Sequence, residues 1–150
     1  MNEYGLIAKE LFLQGYNCSQ AVVGAFAEEF DIDRDTLMMM ASSFGGGMGR
    51  LREVCGGFSG AVMVAGLKFG YSDPTDMDAK TAHYKLVQDL AAEFKAANGK
   101  DTIICKELLG VQAGSHVPEA RTPEYYKKRP CPDIVALAAH IIGEKILSAK

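Results

Sequence analysis

The residues from Ser43 to Tyr71 constrain the fold more than any other part of the chain. They read SFGGGMGRLREVCGGFSGAVMVAGLKFGY, a glycine loop followed by a cysteine and an apolar run of small residues. Apolar residues lie on every side of that run when it is drawn as a helix, so the helix must be buried all round. A membrane span needs about 20 apolar residues, whereas this run is short, rich in glycine and closed by Lys68. We therefore expect the central helix of a helical bundle, without membrane insertion.

Small residues recur four apart along this predicted helix. The pairs are Gly56 with Gly60, Ala61 with Ala65, and Gly66 with Gly70. Small residues at this spacing share one helix face and let a neighbouring backbone approach closely. Glycine inside a helix costs about 0.5–1 kcal/mol against alanine, so its repeated use favours tight packing. The neighbour could be another segment of the chain or a second copy, and a homodimer stays open.

Periodicity and capping signals divide the rest of the chain into further helices. Asn17 and Gln20 have the spacing of a capping box, and Asp73 followed by Pro74 is a typical helix start. No segment carries a convincing strand pattern. We predict an all-α fold, a compact helical bundle in a single domain over residues 1–150. The predicted helices are 3–13, 18–30, 31–43, 55–69, 74–97, 102–109 and 132–148, with an ordered loop over 112–129 that has room for one helical turn near 124–127.

The composition excludes some classes of function. A net charge of −3 gives no basic surface of the kind that nucleic-acid binding requires. The N-terminus has no basic stretch followed by an apolar run, so we expect no secretory signal and a cytoplasmic location. In a reducing compartment structural disulfides are rare, and cysteines are more often catalytic, redox-active or metal-binding. The four cysteines are therefore the first candidates for function.

Each cysteine is predicted at or near the N-terminus of a helix. Cys18 follows the Asn17 cap, Cys55 opens the central helix, Cys105 lies in a first turn, and Cys131 takes an N-cap position. Free N–H groups and the helix dipole at this end stabilise a thiolate and lower the pKa of the thiol. A thiolate is the form that attacks, is oxidised, or binds a soft metal. No pair is spaced as C-x-x-C, so spacing alone leaves a shared site and scattered core cysteines equally open.

The cysteine pattern resembles the C_GCAxxG_C_C family of bacterial proteins, whose core motif reads Cys-Gly-Ala-x-x-Gly. The corresponding stretch here is CGGFSG from Cys55 to Gly60, with Cys18 before it and Cys105 and Cys131 after it. This sequence departs from the motif at Gly57, where the family has alanine. The family's name also puts glycine before the central cysteine, where Val54 stands here. The resemblance implies an α-helical protein with four functional cysteines and a redox role, without an established substrate.

The glycine loop before Cys55 is a second candidate site. Backbone N–H groups of such a loop can form a nest for an anion or cofactor, and Arg52 is close by. The alternative is a tight connection between two helices, and no strand precedes the loop to support a dinucleotide-binding or P-loop assignment. The candidate cofactor-binding residues are Gly45, Gly46, Gly47, Gly49 and Arg50. His116 is a further candidate, and the basic run 127–129 could raise the local potential at Cys131.

Three functional hypotheses follow. The first is a thiol-based redox protein acting with an unidentified redox partner, with thiol–disulfide oxidoreductase as the enzyme class to test. Cys55 would be the primary thiolate and Cys131 the best-placed cysteine to resolve it. In the second, the thiolates of Cys18, Cys55, Cys105 and Cys131 hold an iron–sulfur cluster or zinc, and their dispersal favours a cluster. In the third, a helical interaction module simply buries its cysteines.

Overall fold

Eight α-helices and two 3-10 turns make up the chain in the computed structural model, which describes residues 1–150. The helices are α1 Glu3–Leu13, α2 Cys18–Ala25, α3 Arg34–Ala41, α4 Gly56–Phe69, α5 Met77–Asn98, α6 Cys105–Leu109, α7 Pro123–Lys128 and α8 Cys131–Ser148. The 3-10 turns are Ala27–Glu29 and Ser42–Phe44. No β-strand forms, which confirms the all-α prediction. None of the helices combines the length and the apolar character that crossing a bilayer requires.

Helix α4 lies at the centre of the bundle, as its sequence predicts. It packs against α2, α5 and α8, while α1 covers α2 and α8 from the other side. Val64 of α4 shares the core with Phe26, Val135 and Ile142, and all four side chains are fully buried. The other helices therefore bury α4, which has no charged residue before Lys68 near its C-terminal end.

The small-residue face of α4 is used within the chain, at its N-terminal half. A Cβ atom on Gly60 would lie 2.9 Å from the Ser19 carbonyl oxygen and 2.9 Å from the Val22 Cβ atom, both in α2. At Gly66, in contrast, an added Cβ atom would meet nothing within 4 Å. Close backbone approach is thus confirmed at Gly60, whereas Gly66 faces open space.

Capping explains where two helices begin and where the sequence prediction was wrong. The capping box of Asn17 and Gln20 is present with both of its hydrogen bonds. Helix α5 begins at Met77 rather than at 74, because Asp76 accepts the Ala79 N–H at 3.0 Å and acts as the cap. Asp73, the predicted cap, instead accepts the Thr75 N–H within a local turn.

Cys131 is the first residue of α8, and Pro130 occupies the N-cap position. The prediction of Cys131 as the N-cap itself was therefore wrong by one residue. The cysteine nevertheless lies at the end of α8 where backbone N–H groups have no partner within the helix.

Arg121 anchors the long connection between α6 and α7 to the end of α1. Its guanidinium donates to the carbonyl oxygens of Phe12 at 2.9 Å and Tyr16 at 3.0 Å, and it lies 4.2 Å from the centre of the Phe12 ring. These carbonyls belong to the C-terminal end of a helix and the residues after it, where a cation is favoured.

Replacing Arg121 by methionine should lower the free energy of unfolding by about 2 kcal/mol, because two charge-assisted hydrogen bonds and the stacking on Phe12 are lost. Urea unfolding at neutral pH measures the change. Lys127→Met is the matched control: Lys127 is exposed and forms no ion pair, so a change within about 0.5 kcal/mol is expected. Equal effects of the two substitutions would contradict the anchoring role.

Candidate four-cysteine site

The four cysteines line one cavity of about 290 Å³. Cys18, Cys105 and Cys131 are the first residues of α2, α6 and α8, and Cys55 immediately precedes α4. All four are free thiols. The sequence left open whether the cysteines share a site. In the fold, the N-termini of four helices lie around the same cavity, and each contributes one cysteine to its wall.

A short backbone pairing brings Cys55 and Cys105 together from distant parts of the chain. Val54 and Ile104 form an isolated antiparallel bridge. Next to it, the Cys55 N–H donates to the Ile103 carbonyl at 2.7 Å, and the Cys105 N–H donates to the Glu53 carbonyl at 2.6 Å. One bridge is too short to leave an alternating pattern, so the sequence could not show it.

Cys18 reaches the same place by packing against the first turn of α4. A Cβ atom on Gly56 would lie 3.3 Å from both the Cβ and Sγ atoms of Cys18, and 2.7 Å from the Phe44 carbonyl oxygen. Glycine directly after Cys55 is thus required chiefly by the Phe44 carbonyl oxygen, and it also allows the close approach of Cys18. Cys18 is half-buried, whereas Cys55, Cys105 and Cys131 are 6%, 6% and 9% exposed. Solvent therefore reaches the site first at Cys18.

Burial, rather than the helix N-terminus, dominates the acidity of the three inner thiols. Desolvation raises the pKa of Cys55 and of Cys105, and it raises the pKa of Cys131 to about 12. The N–H groups of Gly57 and Phe58 at the start of α4 lower the pKa of Cys55, but by less. The predicted depression of these pKa values was therefore wrong. The loss of hydration destabilises a thiolate in this cavity by more than the N–H groups and dipoles at the helix ends stabilise it.

The thiols are also linked to one another electrostatically. After desolvation, a negative charge on Cys18 is the next cause that raises the pKa of Cys55 and the pKa of Cys131. A thiolate on one cysteine thus holds the others protonated. A thiolate on Cys18 would therefore disfavour a second thiolate at Cys55 or Cys131.

The glycine loop forms part of the cavity wall, although not with every predicted residue. Gly45, Gly46, Gly49 and Arg50 line the cavity. Gly47 does not, because it packs behind the wall: a Cβ atom there would lie 2.6 Å from the Cys105 Cβ atom. Four residues of the loop therefore form part of the cavity wall, while Gly47 allows the loop backbone to pack closely against Cys105. Its binding of an anion or cofactor stays a prediction.

The loop has an unusual backbone. Five consecutive residues from Gly46 to Arg50 have positive φ, and Arg52 follows at φ 63°. For the residues other than glycine, Met48, Arg50 and Arg52, a left-handed conformation costs about 1 kcal/mol each. Strain of this kind clusters at functional sites when the surrounding structure imposes it. Here it accompanies the placement of two arginines in the cavity wall.

The segment after α6 contributes residues that the sequence did not identify. Glu119, Arg121 and Tyr125 line the cavity, as does His116, which was a candidate. The segment has no hydrophobic periodicity and no motif. Its glycine and proline residues predicted a loop, but nothing in the sequence predicted that the loop contributes to the site. Of the basic run, Arg129 is partly buried and acts to lower the pKa of Cys131, as expected, but burial outweighs it.

Glu119 is the only carboxylate in the cavity wall. Its Oε1 atom lies 3.4 Å from Arg50 and 3.8 Å from Arg52, and it also pairs with Arg129. We call Arg50, Arg52 and Arg129 the arginine cluster. One carboxylate thus faces three guanidinium groups.

No group of three or more cysteine, histidine, aspartate or glutamate side chains lies in position to hold a metal ion. Zinc and iron–sulfur clusters require sulfur ligands that converge at about 2.3 Å from a metal. Ligation of zinc or a cluster by the four cysteines stays a prediction.

Fold and site together define a class: an all-α bundle in which four helix starts each bring one cysteine to a common cavity. The sequence model of one protein family matches residues 16–145, a range that contains all four cysteines. The chain belongs to this family, which is described as "Putative redox-active protein (C_GCAxxG_C_C)". Membership assigns the chain a redox role. No curated protein and no solved structure matches it.

Proposed function

We propose that this protein carries out thiol–disulfide exchange, with Cys18 and Cys55 as the reacting pair. The observation that carries the proposal is the single cavity lined by four free thiols, of which one is open to solvent. An attacking thiol must be reachable by its substrate and must ionise. Cys18 is the more exposed of the pair, while Cys55 is 6% exposed and burial raises its pKa. We therefore assign the first attack to Cys18, and Cys55, the primary thiolate of the sequence interpretation, becomes the resolving thiol.

The reaction with a disulfide R–S–S–R then proceeds in two steps. The Cys18 thiolate attacks one sulfur atom, a mixed disulfide forms, and the other half leaves as R–S⁻. The Cys55 thiol gives its proton to that R–S⁻ and attacks the Cys18 Sγ atom. The remaining half leaves as a second R–S⁻, which takes from solvent the proton that Cys18 lost on ionising. Two electrons pass from the protein to the substrate, leaving a Cys18–Cys55 disulfide and two R–SH molecules.

Cys105 and Cys131 are proposed as a second pair. They line the same cavity, and a charged Cys105 contributes to the raised pKa of Cys131. Exchange between the pairs would convert a Cys18–Cys55 disulfide into a Cys105–Cys131 disulfide, and the number of disulfides would stay the same.

Titration of free thiols tests the proposal on protein that is purified and reduced without oxygen. Addition of a small disulfide should remove thiols in pairs, and a reductant should restore them. Cys18→Ser should slow the first loss on the order of 100-fold, because the solvent-accessible thiol is gone. Cys55→Ser should trap one R–S group on Cys18, visible as added mass. Cys131→Ser is the matched control, and in this variant the first pair of thiols should be oxidised at the same rate as in the unmodified protein.

Two results would overturn the proposal. Loss of thiols from Cys18→Ser as fast as from the unmodified protein would exclude Cys18 as the first nucleophile. Four inert thiols would leave only a structural role for the cysteines. Visible colour or stoichiometric metal that disappears in Cys55→Ser would instead support the cysteine-ligated metal or cluster hypothesis.

A further inference from the structure

Arg52 is a buried cation without an adequate partner. The residue is 7% exposed and lines the four-cysteine cavity. Its Nε atom is buried and has no hydrogen-bond partner. Its one side-chain hydrogen bond runs from a terminal nitrogen to the Cys105 Sγ atom at 3.8 Å, and Glu119 lies too far for another, at 3.8 Å. A guanidinium has five N–H donors, and burying such a charge without partners costs several kcal/mol.

The charges around Arg52 do not balance. The arginine cluster contributes three positive charges, and Glu119 is the only carboxylate in the cavity wall. The other hydrogen bonds of Arg50 go to neutral backbone carbonyls. Burial raises the pKa of all three inner thiols, including Cys105 beside Arg52, which disfavours a thiolate as the missing charge. A ligand that fits this wall must therefore bring negative charge.

The size of the cavity limits what that ligand can be. Its volume of about 290 Å³ is near the lower end of the roughly 300–1,000 Å³ of pockets that bind small ligands. This corresponds to a small organic molecule. A disulfide on the surface of a folded protein would meet Cys18 at the surface and leave Arg52 without a partner, since Arg52 is 7% exposed.

We propose that the substrate of this thiol site is a small disulfide that carries carboxylate groups, one of which binds Arg52. The inference rests on the proposed thiol–disulfide function and adds the class of substrate. The free N–H groups of Arg52 donate to the carboxylate oxygens, which is the pairing that a guanidinium favours. The disulfide of the bound molecule then faces the cysteines, and its reduction yields two small thiols, each with its carboxylate.

Three probes with the same S–C–C skeleton separate charge from size: dithiodiglycolate with two carboxylates, neutral hydroxyethyl disulfide, and cationic cystamine. The rate at which each oxidises the reduced protein is divided by its rate with a small free dithiol, which removes intrinsic reactivity. Dithiodiglycolate should be preferred over hydroxyethyl disulfide by roughly 10- to 100-fold, the range expected from a hydrogen bond to a charged group. Cystamine should be the slowest.

In Arg52→Gln the preference for dithiodiglycolate should fall to about one, measured as the ratio of the two rates within the same variant. Arg34→Gln makes the same change at an exposed position outside the cavity, and it should keep the full preference. Circular dichroism confirms that both variants fold. Arg52→Lys retains the charge without the forked donors and should recover part of the preference.

Adipate provides a readout that needs no redox step, because it has the length of dithiodiglycolate with two methylene groups in place of the sulfur atoms. Calorimetry should show that adipate binds the unmodified protein at least tenfold more tightly than it binds Arg52→Gln. Oxidation by hydroxyethyl disulfide without any advantage for dithiodiglycolate, and with equal adipate binding to both proteins, overturns this inference and leaves the thiol function standing. Failure of every disulfide to oxidise the protein overturns the thiol function, and the substrate class with it.

Discussion

The reduced protein should lose several kcal/mol of stability as the pH rises from 8 to 10. The pKa values of Cys55, Cys105 and Cys131 are raised by burial, so these thiols stay protonated in the folded state. In the unfolded chain they ionise near pH 8.5. The stability that they contribute is therefore fully present below about pH 8 and declines above it. Cys55 and Cys131 should each remove about 2 kcal/mol by pH 10, since about 1.5 pH units lie above 8.5 at 1.36 kcal/mol per unit, and Cys105 should add to this loss. For Cys131 the decline continues towards pH 12.

Urea unfolding at pH 7, 8, 9 and 10, under reducing and oxygen-free conditions, measures this decline. In Cys131→Ser the decline should be smaller by about 2 kcal/mol at pH 10, since serine does not ionise in this range. The series stops at pH 10 because Tyr4 and Tyr125, whose pKa values are also raised by burial, would contribute above it. A stability that is constant from pH 8 to pH 10 would show that the inner thiols are not held protonated by the fold.

Gly60→Ala should lower the free energy of unfolding by about 3 kcal/mol, the upper part of the range for overpacking a core. The added methyl group would lie 2.9 Å from the Ser19 carbonyl oxygen and 2.9 Å from the Val22 Cβ atom. Both atoms are fixed in α2, which would have to move away from α4. Because α2 begins with Cys18, this movement should also slow the reaction of Cys18 with Cys55. Thermal or urea unfolding gives the first effect, and thiol titration gives the second.

Gly57→Ala is the matched control within the same turn of α4. A Cβ atom there would meet its nearest neighbours, Ala138, Val135 and Cys55, at 3.6 to 3.7 Å, which is ordinary contact. Stability should be unchanged or higher by up to about 1 kcal/mol, because alanine favours a helix over glycine. A similar loss of stability in both variants would contradict the specific role of Gly60 against α2.

The positions of the cysteines along the helices could be predicted from the sequence, because helix starts depend on local chemistry. Asn17 and Gln20 cap α2 through neighbouring side chains and backbone, and the pattern is visible in four residues. The start of α5 was misplaced because both Asp73 and Asp76 can cap a helix, and the choice between them depends on the turn that follows Asp73. Local signals thus located the helices and left their ends uncertain by a few residues.

The chemistry of the site could not be predicted in the same way. Low pKa values were expected for thiols at helix ends, but acidity depends on burial, which only the packing of distant helices determines. The left-handed residues Arg50 and Arg52 carry no sequence signal beyond the neighbouring glycines. Glu119 and Arg121 reach the cavity from a segment without periodicity. These contacts join residues that are far apart in the chain, so no local pattern records them.

The graded exposure of the four thiols has a consequence for resistance to chemical damage. Peroxides convert an accessible thiolate to sulfenic acid, which a thiol can still reduce, and then to sulfinic and sulfonic acids, which thiols do not reduce. In the proposed pairing, Cys18 combines partial exposure with a partner, Cys55, whose sulfur would capture a sulfenic acid as a disulfide before further oxidation. The inner thiols are shielded by at least nine-tenths burial. Under this pairing, oxidation by peroxide should fall mainly on Cys18, the one sulfur atom with both solvent access and a thiol that can return it to a disulfide.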